Sequence, residues 1–393
     1  MNILFISFGL DPTVGGTERV TRTLMESFEH HGMTCFITFC AGDDPSFPKE
    51  KKLLVDYRCS YSTFKQKMDN YVAEHNIDLI INENVCEWSV SRFFRELKTK
   101  RKDLPIIYCL HNTPDLFIPH YTKINAQTIK NVIYHWFTGR TIYMAKHKRM
   151  YDVADRYVVL SPSYIKPFYE IFGLQDEGKV IAIPNPITLA KPEREPTAKE
   201  NLFLVVARLS EEQKNIRAIL RIWKEFCKQN NDYQLQIVGY GPDEEQLKEY
   251  ASSLQLQNVV FMGRTHEPQK FYRRAKFFLM TSRYEGFPMT IIESMLFGCI
   301  PIVYNSFAAI NDVIDNGKNG ILIQNNDEQA FLHAMLDLAE DRQKQEEISK
   351  QVAPSLTKFS VERVTDSWVK LFEMLMGILT RSICTFIQSG NVD

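Results

Sequence analysis

Two glutamates stand eight positions apart in the stretch "RYEGFPMTIIESM", Glu285 and Glu293, with Gly286, Phe287 and Pro288 directly after the first. Proline is tolerated in the first turn of a helix and glycine permits a tight turn. The apolar run "KFFLMTS" just before therefore predicts a strand, a loop and a helix beginning near Met289. The free N–H groups of such a helix start favour an anion such as a phosphate by about 0.3 to 1 kcal/mol, and Thr290 can add a hydroxyl. Carboxylates are poor phosphate ligands, so two of them flanking that anion would accept hydrogen bonds from hydroxyls on either side of it. The plainer alternative has Glu285 capping the helix and Glu293 solvated.

Four further stretches carry candidate chemistry. In "VVARLSEEQKN" a strand-like run ends at Arg208 and the polar loop after it carries Lys214; a guanidinium fork and an ammonium at one strand end suit a diphosphate, and both are expected to lie exposed. "IVGYGPDEEQLK" places Gly239 and Gly241 where backbone could approach a ligand, but it lacks the third glycine of a dinucleotide fingerprint. "SFGLDPTVGGTERV" puts Gly15 and Gly16 before a helix carrying Glu18, a second phosphate-compatible helix start. In "IIYCLHNTP" an apolar strand ends in His111, able to donate a hydrogen bond to a substrate hydroxyl or to share a proton; a structural role is the alternative. Asp-x-Asp, HExxH, GxSxG and P-loop patterns are absent, so no metal or other cofactor is expected and leaving-group charge must fall on Arg, Lys and helix termini.

The elements that must hold these residues follow from hydrophobic patterning. Short apolar runs ("NILFIS", "TCFITFC", "IDLIIN", "PIIYCLH", "RYVVLS", then "LFLVVA", "QLQIVG", "NVVFMG", "KFFLMT", "IPIVY") alternate with amphipathic stretches. Strands this apolar are covered on both faces, which predicts an α/β chain with parallel sheets built from βαβ units. The length of 393 residues suits two domains. The proline-rich, charged stretch "IPNPITLAKPEREPTAKEN" separates the two sets of strands, so two Rossmann-like doubly wound domains are expected, 1–186 and 187–370, facing across a cleft. Residues 371–393 are expected to be a helical segment packing back toward the first domain; the helical stripe leading into it runs through Val364, Trp368, Leu371 and Leu375.

Lys plus Arg number 47 against 48 Asp plus Glu, so the net charge of -1 supplies no global field for nucleic acid. Eight cysteines without a CxxC pattern make disulfides and zinc unexpected. The N-terminus has neither a basic n-region nor a long apolar core, and no run approaches the length of a membrane span. A cytoplasmic protein is expected, with peripheral attachment at the inner membrane face as a further expectation.

Gly15-Gly16 with Glu18, His111, Arg208 with Lys214, Gly239-x-Gly241 and the Glu285/Glu293 pair, in this order, resemble the GT-B glycosyltransferases of the large retaining group called family 4. The resemblance implies a nucleoside diphosphate sugar, probably a UDP-sugar, in the second domain and an acceptor in the first. It implies that Arg208 and Lys214 neutralise the departing diphosphate, that Glu293 binds the ribose and that Glu285 approaches the donor sugar. It implies that the backbone of Gly286 to Met289 contacts sugar and phosphate and that the segment around Arg264 reads the base. His111 would touch the donor sugar, and Gly15 and Gly16 would leave room for phosphates. Configuration is retained in this family without a carboxylate nucleophile.

Residues 116–151 contain no Asp or Glu but carry Lys123, Lys130, Arg140, Lys146, Lys148 and Arg149 among Tyr134, Trp136, Phe137 and Tyr143. That pattern suits contact with an anionic membrane or a lipid diphosphate, each cation contributing on the order of 1 kcal/mol. Its alternative is a helix with aromatics in the core and cations paired elsewhere. The expected function is metal-independent transfer of a sugar to a surface-polysaccharide, lipopolysaccharide or lipid-linked glycan. A sugar-nucleotide epimerase on the same fold and a non-catalytic nucleotide-sugar-binding subunit are the alternatives.

Overall fold

The computed structural model describes residues 1–116, 140–190 and 199–377. Its strands form two separate, wholly parallel sheets. The first has the order β3-β2-β1-β4-β5-β6-β7, with β1 (Asn2–Ile6), β2 (Thr34–Phe39), β3 (Lys52–Leu54), β4 (Leu79–Glu83), β5 (Ile106–Leu110), β6 (Arg156–Val159) and β7 (Val180–Ala182). The second has the order β10-β9-β8-β11-β12-β13, with β8 (Glu200–Val206), β9 (Gln234–Val238), β10 (Val259–Gly263), β11 (Ala275–Met280), β12 (Ile300–Asn305) and β13 (Ile321–Gln324). Each is a Rossmann-like doubly wound sheet whose strand order reverses between two central strands, β1 and β4 in one, β8 and β11 in the other. The loops leaving the carboxyl ends of those strands are where such folds place ligands.

Each of the ten apolar runs quoted above is a strand. The short strands β3, β7 and β13 were not foreseen, because each lies at a sheet edge and is only three or four residues long, too short to show a pattern. The edge also corrects the expectation of two covered faces for "NVVFMG": in β10 the residues alternate in exposure, and Val260 and Met262 are more than a third exposed. The central strands behave as expected, with β4 and β5 buried at every position.

The chain divides into two compact units, Met1–Pro186 with Phe359–Asp393, and Ile187–Lys358. The returning segment thus starts at Phe359 rather than at the expected 371, and residues 378–393 of that expected segment lie outside the described residues. The cause is the helix Val361–Leu375, capped by Ser360, whose Oγ accepts from the Arg363 N–H. It lays Trp368 and Phe372 edge-on against Phe28 of the helix Gly16–His30, at 6.3 and 5.2 Å between ring centroids. Ser27 and Thr365 hydroxyls meet at 2.7 Å in the same buried layer.

Much of the 116–151 segment lies outside the described residues, including Lys123, Lys130, Tyr134, Trp136, Phe137 and the side chain of Arg140. In the part that is described, the helix Arg140–Val153, Tyr143 packs at a tilt against His147 with centroids 4.1 Å apart, Lys146 reaches Glu87 at 3.3 Å, and Arg149 lies 3.8 Å over the Trp88 ring. These particular side chains are engaged within the first unit. His147 is buried against the Tyr157 hydroxyl at 2.7 Å, and burial, assisted by the positive charge of Lys146, lowers its pKa to about 3.

Two outcomes follow for stability. Trp368→Ala should cost about 3 to 5 kcal/mol, seen as a lower urea midpoint. Because unfolded His147 takes up a proton below about pH 6.5 while folded His147 does not, its neutral burial contributes fully above that pH. The contribution is lost as pH falls, by up to about 1.4 kcal/mol per pH unit. Denaturation midpoints measured from pH 7 to 5 should fall more steeply for the parent than for His147→Gln.

Candidate functional site

In the second unit the loop after β8 and the loop after β11 are stitched together. Residues 207–215 leave β8, form the single turn Glu211–Lys214 and end on Asn215, buried and left-handed at φ 51°. Asparagine tolerates that conformation better than most side chains. Arg283 then reaches back across: its Nη1 donates to the carbonyls of Glu211 (2.5 Å) and Glu212 (2.9 Å), and its Nη2 to Asn215 Oδ1 (2.8 Å). Its own N–H donates to the Gln213 carbonyl at 2.8 Å, and Thr281 Oγ1 donates to the Asn215 carbonyl at 2.9 Å. Sequence reasoning missed Arg283, although it opens the stretch that contains Glu285. Its neighbours in the chain carry no sign that its fork faces carbonyls from another loop.

The stitching delivers Lys214 to Glu285, with Nζ 2.5 Å from Oε1, and Gln213 Nε2 donates to the other oxygen at 3.4 Å. Both charged side chains are largely buried, 14% and 9% exposed. The expectation that Lys214 lies exposed is therefore corrected: its flexible stem folds under the loop because a carboxylate waits there. Arg208 is exposed as expected, and among the described residues no acid pairs with it. Burial raises the pKa of the nearby Glu211 carboxyl even though it accepts the Arg217 N–H at 3.1 Å.

The helix after the loop is Met289–Leu296, beginning where the sequence places it. Neither part of the plainer reading for the glutamates holds. Pro288 occupies the cap position with no side-chain cap, and Glu293 is 1% exposed, its oxygens accepting from Tyr272 (3.2 Å) and Thr188 (3.5 Å). The first turn offers fewer free donors than expected: Met289 N–H donates to the Phe287 carbonyl and Ile291 N–H to that of Pro288. Gly286 does not take up a positive φ, so the tight turn does not rest on glycine there. Thr290 is partly exposed in that turn.

Gly239 and Gly241 are required for a reason other than ligand approach. A Cβ on Gly239, which sits at φ 136°, would lie 1.8 Å from the Ala207 carbonyl oxygen, and one on Gly241 would lie 2.3 Å from that of Leu209. The Arg208 loop itself runs against them, bonded through Ala207 N–H to Val238 and Leu209 N–H to Tyr240. Arg264, following β10, stacks 4.8 Å over the exposed Tyr240 ring.

In the first unit, Gly15 caps the helix that begins at Gly16, and the space a Gly15 side chain would fill holds the Glu18 carboxylate, 2.4 Å from an added Cβ. The room expected for phosphate is thus shared with an acid. His111 follows β5 and hydrogen-bonds through Nε2 to Glu83 at the end of β4, a residue the sequence reading passed over. Burial and the Glu83 charge together push the Cys109 thiol well up.

Two parallel Rossmann-like sheets with charged loops at their switch points are the GT-B arrangement, and comparison with known proteins gives the family. Residues 187–353 match the model described as "Glycosyl transferases group 1", and residues 14–191 that described as "Glycosyltransferase Family 4". The chain belongs to the family 4 glycosyltransferases and is a hexosyltransferase. It is 23% identical over 362 residues to an uncharacterized glycosyltransferase of Haemophilus influenzae, covering 91% of this chain and 96% of that protein. It is 26% identical to the lipopolysaccharide 1,6-galactosyltransferase of Salmonella typhimurium, covering 82% and 85%. Among solved structures, Anabaena HepE in complex with UDP superposes with a TM-score of 0.74 at 18% identity, covering 95% and 100%.

The Lys214–Glu285 pair carries a stability consequence that Arg208 does not. Lys214→Ala strands a buried carboxylate and should cost about 3 kcal/mol, whereas Arg208→Ala should stay within about 0.5 kcal/mol. Replacing both partners, Lys214→Met with Glu285→Leu, should recover most of that loss in a urea titration.

Proposed function

We propose that the chain transfers a hexose from a UDP-sugar, with retention of configuration and without a metal ion, to a surface-polysaccharide, lipopolysaccharide or lipid-linked glycan acceptor. The observation that carries this reading is the convergence of Arg208, Lys214 and Glu285 at the switch point of the second sheet, with Glu293 one turn into the next helix. The acceptor class rests on the lipopolysaccharide enzyme to which the chain is similar, and the donor on the UDP bound by the HepE structure.

In this reading the exposed Arg208 meets the diphosphate with its guanidinium fork, and Lys214 adds positive charge as the bond to the sugar breaks. Glu285 holds Lys214 in place and faces a hydroxyl of the donor sugar. Glu293, held by Tyr272 and Thr188, accepts the ribose hydroxyls. The backbone from Gly286 through Phe287 and Pro288 to Met289, with Thr290, lies along sugar and phosphate. Arg264 on Tyr240 contacts the base. Gly15 and Gly16 border the phosphates, and His111 hydrogen-bonds a sugar hydroxyl. The acceptor oxygen attacks the anomeric carbon from the face the diphosphate leaves, and the departing phosphate oxygen takes the acceptor proton. No carboxylate nucleophile is needed. The protein works at the cytoplasmic face of a membrane as a peripheral enzyme; among the described residues no helix is long and apolar enough to cross one.

A thermal-shift screen should show a rise in melting temperature with UDP-sugars larger than with GDP- or ADP-sugars, because a ligand bound only by the folded state stabilises it. Arg208→Ala should lower turnover at least about 100-fold with little change in melting temperature. EDTA should leave turnover intact. Loss that manganese restores would overturn the metal-free step, and a preference for GDP-sugars would overturn the donor.

A further inference from the structure

Glu83 and His111 form a buried polar pair at the carboxyl edge of the first sheet. Glu83 is the last residue of β4, and His111 comes directly after β5, the neighbouring parallel strand, in which Cys109 pairs with Glu83. Their side chains are 1% and 7% exposed, and Glu83 Oε2 meets His111 Nε2 in a short contact. A carboxylate only accepts, so Nε2 carries a proton, and in the neutral ring Nδ1 is then bare. That Nδ1 is itself buried with no hydrogen-bond partner among the described residues. A buried polar nitrogen without a partner is destabilising, which a structural histidine ordinarily avoids by bonding a neighbouring protein group. A Glu–His pair of this kind fixes ring tautomer and orientation together, and the partner of the free nitrogen must be a donor.

We propose that Glu83 is a positioning residue for sugar transfer: it holds His111 in the tautomer protonated on Nε2, so that Nδ1 accepts a hydrogen bond from a hydroxyl of the sugar substrate. The proposal rests on the reading above in which His111 contacts a sugar hydroxyl. It explains why a carboxylate is buried at the end of β4, between apolar strands that need no charge. The hydroxyl keeps its proton; the pair orients substrate and transfers nothing.

The tautomer is measurable without any variant. In parent protein labelled with 15N-histidine, His111, assigned among the nine histidines by its loss in His111→Gln, should show a protonated pyrrole-type Nε2 and an unprotonated pyridine-type Nδ1. A protonated Nδ1 with a bare Nε2 would overturn the proposal. Glu83→Gln keeps the shape of the side chain, but its amide can donate as well as accept, so the tautomer preference should be lost. UDP release from UDP-glucose, UDP-galactose and UDP-N-acetylglucosamine, with water as acceptor, should fall about tenfold in kcat, with KM changed less than about threefold. An unchanged kcat in a folded Glu83→Gln protein would overturn the proposal as well. Parent protein that releases UDP from none of these donors would instead overturn the function proposed above, and the two failures are distinct because the second is seen without substitution.

Discussion

A largely buried ammonium facing a largely buried carboxylate, Lys214 against Glu285, is the contact on which the arrangement of the second unit turns. Removing two charges from water is costly unless each finds the other and further hydrogen bonds complete the shell. Here Gln213 supplies a donor to the carboxylate, and Arg283 anchors the short turn that carries Lys214. The ion pair needs two loops from strands that are far apart in sequence but adjacent in the sheet, β8 and β11.

The glycines express the same crowding. Gly239 and Gly241 accommodate the carbonyls of Ala207 and Leu209, so the loop bearing Arg208 is pressed onto the loop after β9 with no space for a methyl group. Three strand-end loops therefore form one layer, held by backbone hydrogen bonds, with Arg208 outermost and Lys214 within. The guanidinium at the surface and the ammonium beneath it are placed differently: the first has no acid partner among the described residues, while the second faces the Glu285 carboxylate. Arginine and lysine are not interchangeable in such a setting.

The first unit shows how local charge is disposed of by packing. In the described part of the basic, aromatic stretch, Lys146 finds Glu87, Arg149 covers Trp88 and His147 goes neutral into an aromatic layer with Tyr143 and Tyr157. Glu83 and His111 meet through Oε2 and Nε2 at the strand ends, which leaves Glu83 Oε1 and His111 Nδ1 buried without a partner among the described residues. The closing helix fills the remaining apolar face through Trp368 and Phe372.

Hydrophobic runs determined the α/β class and ten of the strands, because burial on both faces of a parallel strand leaves an uninterrupted apolar record in the chain, and Pro288 after Gly286 marked the start of the helix at Met289. The motif order from Gly15 to Glu293 likewise carried the family. The short edge strands left no such record, since solvent on one side relaxes the demand for apolar residues. What tertiary structure alone decided is which polar groups meet: Lys214 with Glu285, Arg283 with the carbonyls of Glu211 and Glu212, Glu83 with His111. Those pairings span 28 to 72 positions and depend on strand order and loop path. Side-chain type shows that a charge needs a partner; only the folded chain shows which one comes within 3 Å.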